Sequence, residues 1–193
     1  MKILSTVSDN IIHFFYPAYC LHCDSPVKKG HHLLCPSCFE QIEWIDRKER
    51  CPRCWRPKKC KDCPPLHPHR SLFEPCGPIK DLHQEFLKTK RGKILASLIV
   101  IALSKSSWPL PDVIVPLVDS PFPKSEPVYI LAKELSALLE CTLSLPGPKI
   151  QDKETLLLTD SLWKTEELIK GKQRLAEFFP EKTFTFALID HRK

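Results

Sequence analysis

Glycine is nearly missing from this chain, with five residues among 193, whereas proline occurs 19 times. Loops that wrap a phosphate in backbone N–H groups depend on glycine for close approach. A glycine-rich phosphate cradle is therefore not expected. Long apolar runs are also missing. The longest, residues 94–103, contains Ser97 and falls short of a membrane span. Residues 1–16 hold one lysine, with neither a continuous apolar stretch nor a small-residue cleavage site. No export signal is expected there, only a short amphipathic helix packed on the protein. The expected compartment is the cytoplasm, where disulfides rarely persist. The composition, 42% hydrophobic and 27% charged, is that of a soluble globular protein.

Cysteine is what the chain has in excess. Nine of ten lie between Cys20 and Cys76, and Cys141 stands alone. Eight form four Cys-x-x-Cys pairs: Cys20/Cys23, Cys35/Cys38, Cys51/Cys54 and Cys60/Cys63. Two residues between sulfurs let both thiolates of one tight turn face one tetrahedral ion, and two turns complete a closed Cys₄ site. Paired cysteines in a reducing compartment point to metal. Two Zn²⁺ ions are expected, either from neighbouring pairs or from a crossed arrangement of first with third; spacing allows both. Closed sites are structural, and zinc supplies much of the folding energy of so short a stretch. His22, His31, His32, His67 and His69 are weaker ligand candidates, with His22 pointing away from its knuckle. Cys76 and Cys141 are expected to be small buried apolar residues.

Arg47, Lys48, Arg50, Arg53, Arg56, Lys58, Lys59 and Lys61 face one acid in their run, Glu49, with Trp44 and Trp55 beside or among them. Cations with aromatics suit a phosphate backbone and stacked bases, so these residues and Trp55 are candidates for nucleic-acid contact. The bland alternative is that they neutralise the zinc–thiolate centres and pack a small core. The formal net charge of +6 adds little. Eight bound thiolates and two dications leave about +2.

Residues 64–71, rich in proline, read as a linker. The chain accordingly divides into a zinc-ribbon module with its short helix at 1–65 and an α/β part at 72–193. In the second part, residues 79–103 form a helix broken near Gly92. Residues 112–117 form a buried strand, and Ser125 caps a helix with Pro127 in its first turn. A weak strand follows at 141–145 and a better one at 155–159. An amphipathic helix at 163–179 ends before Pro180, and residues 183–189 form a final strand. Alternating strands and helices imply a parallel sheet with right-handed crossovers.

The order of these parts resembles the ComF family of bacterial competence proteins, a zinc ribbon followed by a phosphoribosyltransferase domain. "FFYPAYCLHC", "LLCPSC" and "CPRC" are similar to the family's first knuckles, and "CGPIKDLHQEFLKTKRGKILASLI" to its Gly-Pro opening and apolar helix. "PDVIVPL" is similar to the strand before its Val-Pro turn, and "LLLTDSLWKTEEL" stands in the place of its phosphate-binding signature. The resemblance implies an α/β fold with a small parallel-sheet phosphoribosyltransferase-like domain behind a cysteine-rich double zinc ribbon. That signature has two acids, then Thr-Thr-Gly-Ala-Thr at a helix start. Here the two acid positions hold Thr159 and Asp160, and the following stretch is Trp163, Lys164, Thr165, Glu166 and Glu167. The glycine is gone, and two carboxylates stand where a dianionic phosphate would sit. Thr159, Asp160, Lys164 and Thr165 are thus a remnant loop. The Arg-Gly-Phe-Asn-Gln segment and most of the hood region at 145–155 are missing too.

The expectation is a non-catalytic, ComF-like accessory of DNA uptake, with single-stranded DNA or helicase-type proteins as partners. Phosphoribosyl pyrophosphate and Mg²⁺ are not expected as ligands. An active phosphoribosyltransferase that binds them and a zinc-dependent protein–protein adaptor are the rival readings.

Overall fold

A computed structural model describes residues 18–27, 33–57, 60, 63, 66 and 68–192. The expected helix at 1–16 lies outside them, as do Lys58, Lys59, Lys61, His31, His32 and His67.

The first knuckle is a hairpin in which β1 (Ala18–Tyr19) pairs antiparallel with β2 (Pro26–Val27). Proline opens the short helix α1 (Pro36–Glu40), which carries Cys38. The α/β part is built from β3 (His69–Phe73), α2 (Gly77–Thr89), α3 (Lys93–Ser104), β4 (Val113–Pro116), α4 (Pro127–Leu139), β5 (Thr142–Leu143), β6 (Glu154–Leu162), α5 (Thr165–Ala176) and β7 (Lys182–Asp190). Five strands form one all-parallel sheet in the order β3-β7-β6-β4-β5. No helix among the described residues is long and apolar enough to cross a membrane.

Strand β6 explains why the sheet is buried on both faces. Leu156 and Leu158 point into a core shared with α2, α3 and α4, whereas Leu157 points into a second core with Leu168 and Leu175 of α5. Burying each such leucine contributes about 1.5–3 kcal/mol. Helix α5 approaches closely because Gly171 has no side chain. A Cβ there would lie 2.7 Å from Leu117 and 2.8 Å from Leu157.

The break near Gly92 is real. Helix α2 ends on Lys90 in the left-handed region, at φ 59°, and Gly92 opens α3. A Cβ on Gly92 would meet the Phe86 ring at 3.1 Å.

Three expectations change. The stretch read as a linker supplies His69, Arg70 and Ser71 to β3, which pairs with β7 from His69 opposite Thr185 to Phe73 opposite Ile189. These residues are polar because they meet buried partners, so no apolar alternation betrays the strand. Ser125 does not cap α4. It ends a 3-10 turn (Pro123–Ser125), and Glu126 is the N-cap, with no side-chain cap bond. Helix α5 starts only at Thr165, because β6 runs on through Leu162 and carries Thr159 and Asp160 inside the strand.

The ribbons are not detached from the sheet. Val27, Leu34, Cys38 and Ile42 of the first ribbon join the core under α2 and α3. Leu66, just past the second ribbon, joins the core under α5. Between the ribbons, the Ile45 N–H donates to the Leu72 carbonyl at 2.8 Å, along β3.

Candidate metal centres and the crevice at the carboxyl edge of the sheet

The cysteines gather sequentially, not crossed: Cys20, Cys23, Cys35 and Cys38 form one cluster, Cys51, Cys54, Cys60 and Cys63 the other. Within each, the sulfurs lie within 4.8 Å of one another. Cys23 and Cys35 are 3.7 Å apart, Cys51 and Cys63 3.8 Å, and Cys54 and Cys60 3.2 Å. A tetrahedron of ~2.3 Å zinc–sulfur bonds has edges of about 3.8 Å. Disulfides would need ~2.05 Å, and all ten cysteines are free. The two Cys₄ sites therefore fit two zinc ions.

Their electrostatics agree. Burial opposes ionisation of Cys20, yet backbone hydrogen bonds with Cys35, Cys23 and His22 outweigh it and bring the thiol down to about 6. In Cys51 the same contest, with backbone bonds at Cys60, Cys54 and Arg53, also ends at about 6. Burial and neighbouring thiols push Cys38 up, and the hydrogen bond with Cys54 pushes Cys60 up. Four thiols sharing one pocket cannot all ionise without a cation, and a dication removes that conflict. The two clusters differ in access: Cys23 is exposed, whereas Cys51, Cys54 and Cys63 are buried.

Each ribbon is tied down by a polar side chain. His22 points out of its knuckle, as expected, and its Nδ1 pairs with Asp81 of α2 at 2.7 Å. The second ribbon is held by Arg192, which motif reasoning passed over; a lone arginine near the chain end gives no signal. Its Nε and Nη2 donate to the two carboxylate oxygens of Asp190 at 2.8 and 2.7 Å. Its Nη1 donates to the Cys54 carbonyl at 2.9 Å and to the Thr165 hydroxyl at 3.2 Å. His69 completes the cluster, bonded to Thr185 and Ser71. It joins neither cysteine cluster. Burial first, then the Arg192 charge, pull its pKa down to about 3.

The basic run divides. Arg47 and Lys48 are exposed in a 3-10 turn, Arg53 is exposed, and Arg56 is half-buried. Arg50 is buried and paired with Glu74, and Trp55 is buried against His69. Those two support the fold and offer nothing to an outside strand. Cys76 is exposed, contrary to expectation, because it sits at the N-cap of α2; Cys141 is half-buried.

The remnant loop is turned inward. Thr159 is buried, and its hydroxyl donates to the Ser161 carbonyl at 2.9 Å. Asp160 pairs with His83 of α2 at 3.2 Å. Thr165 is wholly buried and engaged by Arg192, while Lys164 is exposed at the N-cap of α5.

Beside Asp160, at the carboxyl ends of β6 and β7, lies a crevice of about 430 Å³. The connection that leaves β4 runs to β5 on one side and the connection that leaves β6 runs to β7 on the other, and ligands of open α/β sheets settle beside such a switch. Helix α2 lends Lys80, His83 and Gln84 to one wall, and Glu126 and Pro127 stand at the start of α4. Trp163 and His191 line the crevice as well, their rings stacked at 3.7 Å and 10°.

A family model described as a double zinc ribbon domain matches residues 11–77, the part that holds all eight knuckle cysteines. No curated protein matches the chain.

Proposed function

We propose that this chain is a non-catalytic, ComF-like accessory of DNA uptake in the cytoplasm. In this reading a double zinc ribbon, to about residue 65, heads a phosphoribosyltransferase-like sheet that serves as scaffold. The observation that carries it is the turn between β6 and α5. A phosphate cradle needs free N–H groups and hydroxyls at the helix start. Here the Thr165 hydroxyl is buried and taken by Arg192, Asp160 is taken by His83, and Glu166 and Glu167 occupy the first turn of α5. Acids there favour the helix dipole but repel a dianion.

Single-stranded DNA is the partner this reading favours, through exposed Arg47, Lys48 and Arg53 and the neighbouring Lys58, Lys59 and Lys61. Calorimetric titration with phosphoribosyl pyrophosphate and Mg²⁺ tests the catalytic part, with no binding expected. Micromolar binding would restore the enzyme reading. Titration with single-stranded DNA at several salt concentrations tests the other part. Affinity should fall steeply with salt. Absence of any salt-sensitive binding would leave the zinc-dependent adaptor, which pull-down against helicase-type proteins then addresses.

A further inference from the structure

Away from the zinc sites and the crevice, two segments meet beside β3. One is the stretch between the ribbons, with Trp44 and Arg47. The other is the end of α3, with Ile101 and Lys105, and the Trp108 that follows it. Ring contacts tie them to the sheet. Lys105 Nζ lies 5.6 Å over the Trp44 ring, which packs on Phe73 of β3 at 4.8 Å between centroids. Arg70 of β3 lies 5.0 Å over the Trp108 ring, which packs on Phe184 of β7 at 5.0 Å. Cations are held here without acids to neutralise them. Among the described residues, Arg47, Arg70 and Lys105 enter no ion pair, although Glu43, Asp46 and Glu49 lie in the stretch beside Trp44 and Arg47. Burial first, and then the charge of Arg47, pull the pKa of half-buried Arg70 down. Like charges gathered in this way are relieved by an anionic partner.

Two features select the kind of anion. Each indole already has a phenylalanine ring against it and a cation over it, so neither is a free platform for a base. Trp44 and Ile101 are each 40% exposed beside the cations, with Ile101 one helical turn before Lys105. Exposed apolar side chains among unpaired cations suit a peptide that carries both carboxylates and an apolar residue; a phosphate backbone would leave the apolar part wet.

We propose that this surface docks an acidic, leucine-bearing segment of a partner protein, with its carboxylates on Arg47, Arg70 and Lys105 and its apolar side chain on Trp44 and Ile101. This goes beyond the single-strand reading, with which it shares only Arg47.

The test uses the full zinc-loaded chain and fluorescence anisotropy. The probes are a labelled Asp/Glu peptide carrying two leucines, its Asn/Gln counterpart, and labelled oligo(dT). The variants are Lys105→Glu and Ile101→Ser, both at exposed positions; unchanged zinc content and circular dichroism verify their folding. The wild type should bind the acidic peptide and not its amide counterpart. Lys105→Glu should weaken that binding about tenfold and Ile101→Ser about threefold, with oligo(dT) affinity little changed. Those losses support the proposal. Equal binding of the acidic peptide by wild type and both variants, or equal binding of the two peptides, overturns it. No peptide binding also overturns it, and oligo(dT) then separates the readings. Oligo(dT) binding weakened by Lys105→Glu assigns the surface to a strand; oligo(dT) binding unchanged by it leaves the single-strand reading standing elsewhere. No binding of any probe overturns both.

Discussion

Replacing Arg192 with methionine should remove a large part of the stability of this chain. The side chain is 2% exposed and the carboxylate it holds, Asp190, is fully buried. Burial alone would favour the protonated acid, but hydrogen bonds and the charge of Arg192 hold Asp190 below the usual carboxylate range. Methionine fills much of the volume but leaves a carboxylate in a dry site. Breaking a buried pair in this way costs about 3–5 kcal/mol. The Cys54 carbonyl and the Thr165 hydroxyl lose a donor as well. Against a total stability of 5–15 kcal/mol, a loss of about 4 is severe. With a urea slope near 2 kcal/mol per molar, the midpoint should drop by about 2 M. Equilibrium unfolding followed by circular dichroism measures it. A second variant, Arg192→Met with Asp190→Leu, removes both charges and should recover most of the loss. A drop below about 0.5 M in the single variant would refute the reasoning. A double variant no more stable than the single one would also refute it.

Cys23→Ser should reduce the metal content from two zinc ions to one and expose the first ribbon to proteolysis, measured by native mass spectrometry and limited digestion; retention of both ions would contradict the assigned site. His69 gives a pH dependence. Its folded pKa, near 3, lies below the ordinary 6.5, so the folded state binds fewer protons and stability falls as pH drops below 6.5. Between pH 6.5 and 5 the loss approaches about 2 kcal/mol, and His69→Gln should flatten that slope in guanidinium titrations at each pH. Gly171→Val should destabilise the chain by about 1–3 kcal/mol, read from the thermal midpoint, because α5 must be pushed off Leu117 and Leu157.

The parts legible in the sequence are those set by local spacing or by apolar clustering. Cysteine spacing marked the knuckles because two thiolates of one turn must reach one ion. It left the pairing open, which the hairpin β1–β2 and the fold-back of Leu21 onto Leu33 decide in three dimensions. Strands β4, β6 and β7 were legible because both faces are buried, which demands continuous apolar runs. Strand β3 was not, since His69 and Ser71 earn their burial through hydrogen bonds rather than apolarity. Asp160 was noticed, but its pairing with His83 spans 77 positions and has no local signature. Trp163 and His191 stack across 28 positions for the same reason.

The two ribbons meet opposite sides of one sheet, the first beneath α2 and α3, the second beside α5. A chain starved of metal would therefore not simply lose a floppy head. It would uncover greasy surface on both flanks of its scaffold at once, an invitation to proteases and to clumping. Zinc supply would then govern how long the whole molecule survives in the cell, and severing it near residue 65 would leave two fragments that each miss a wall.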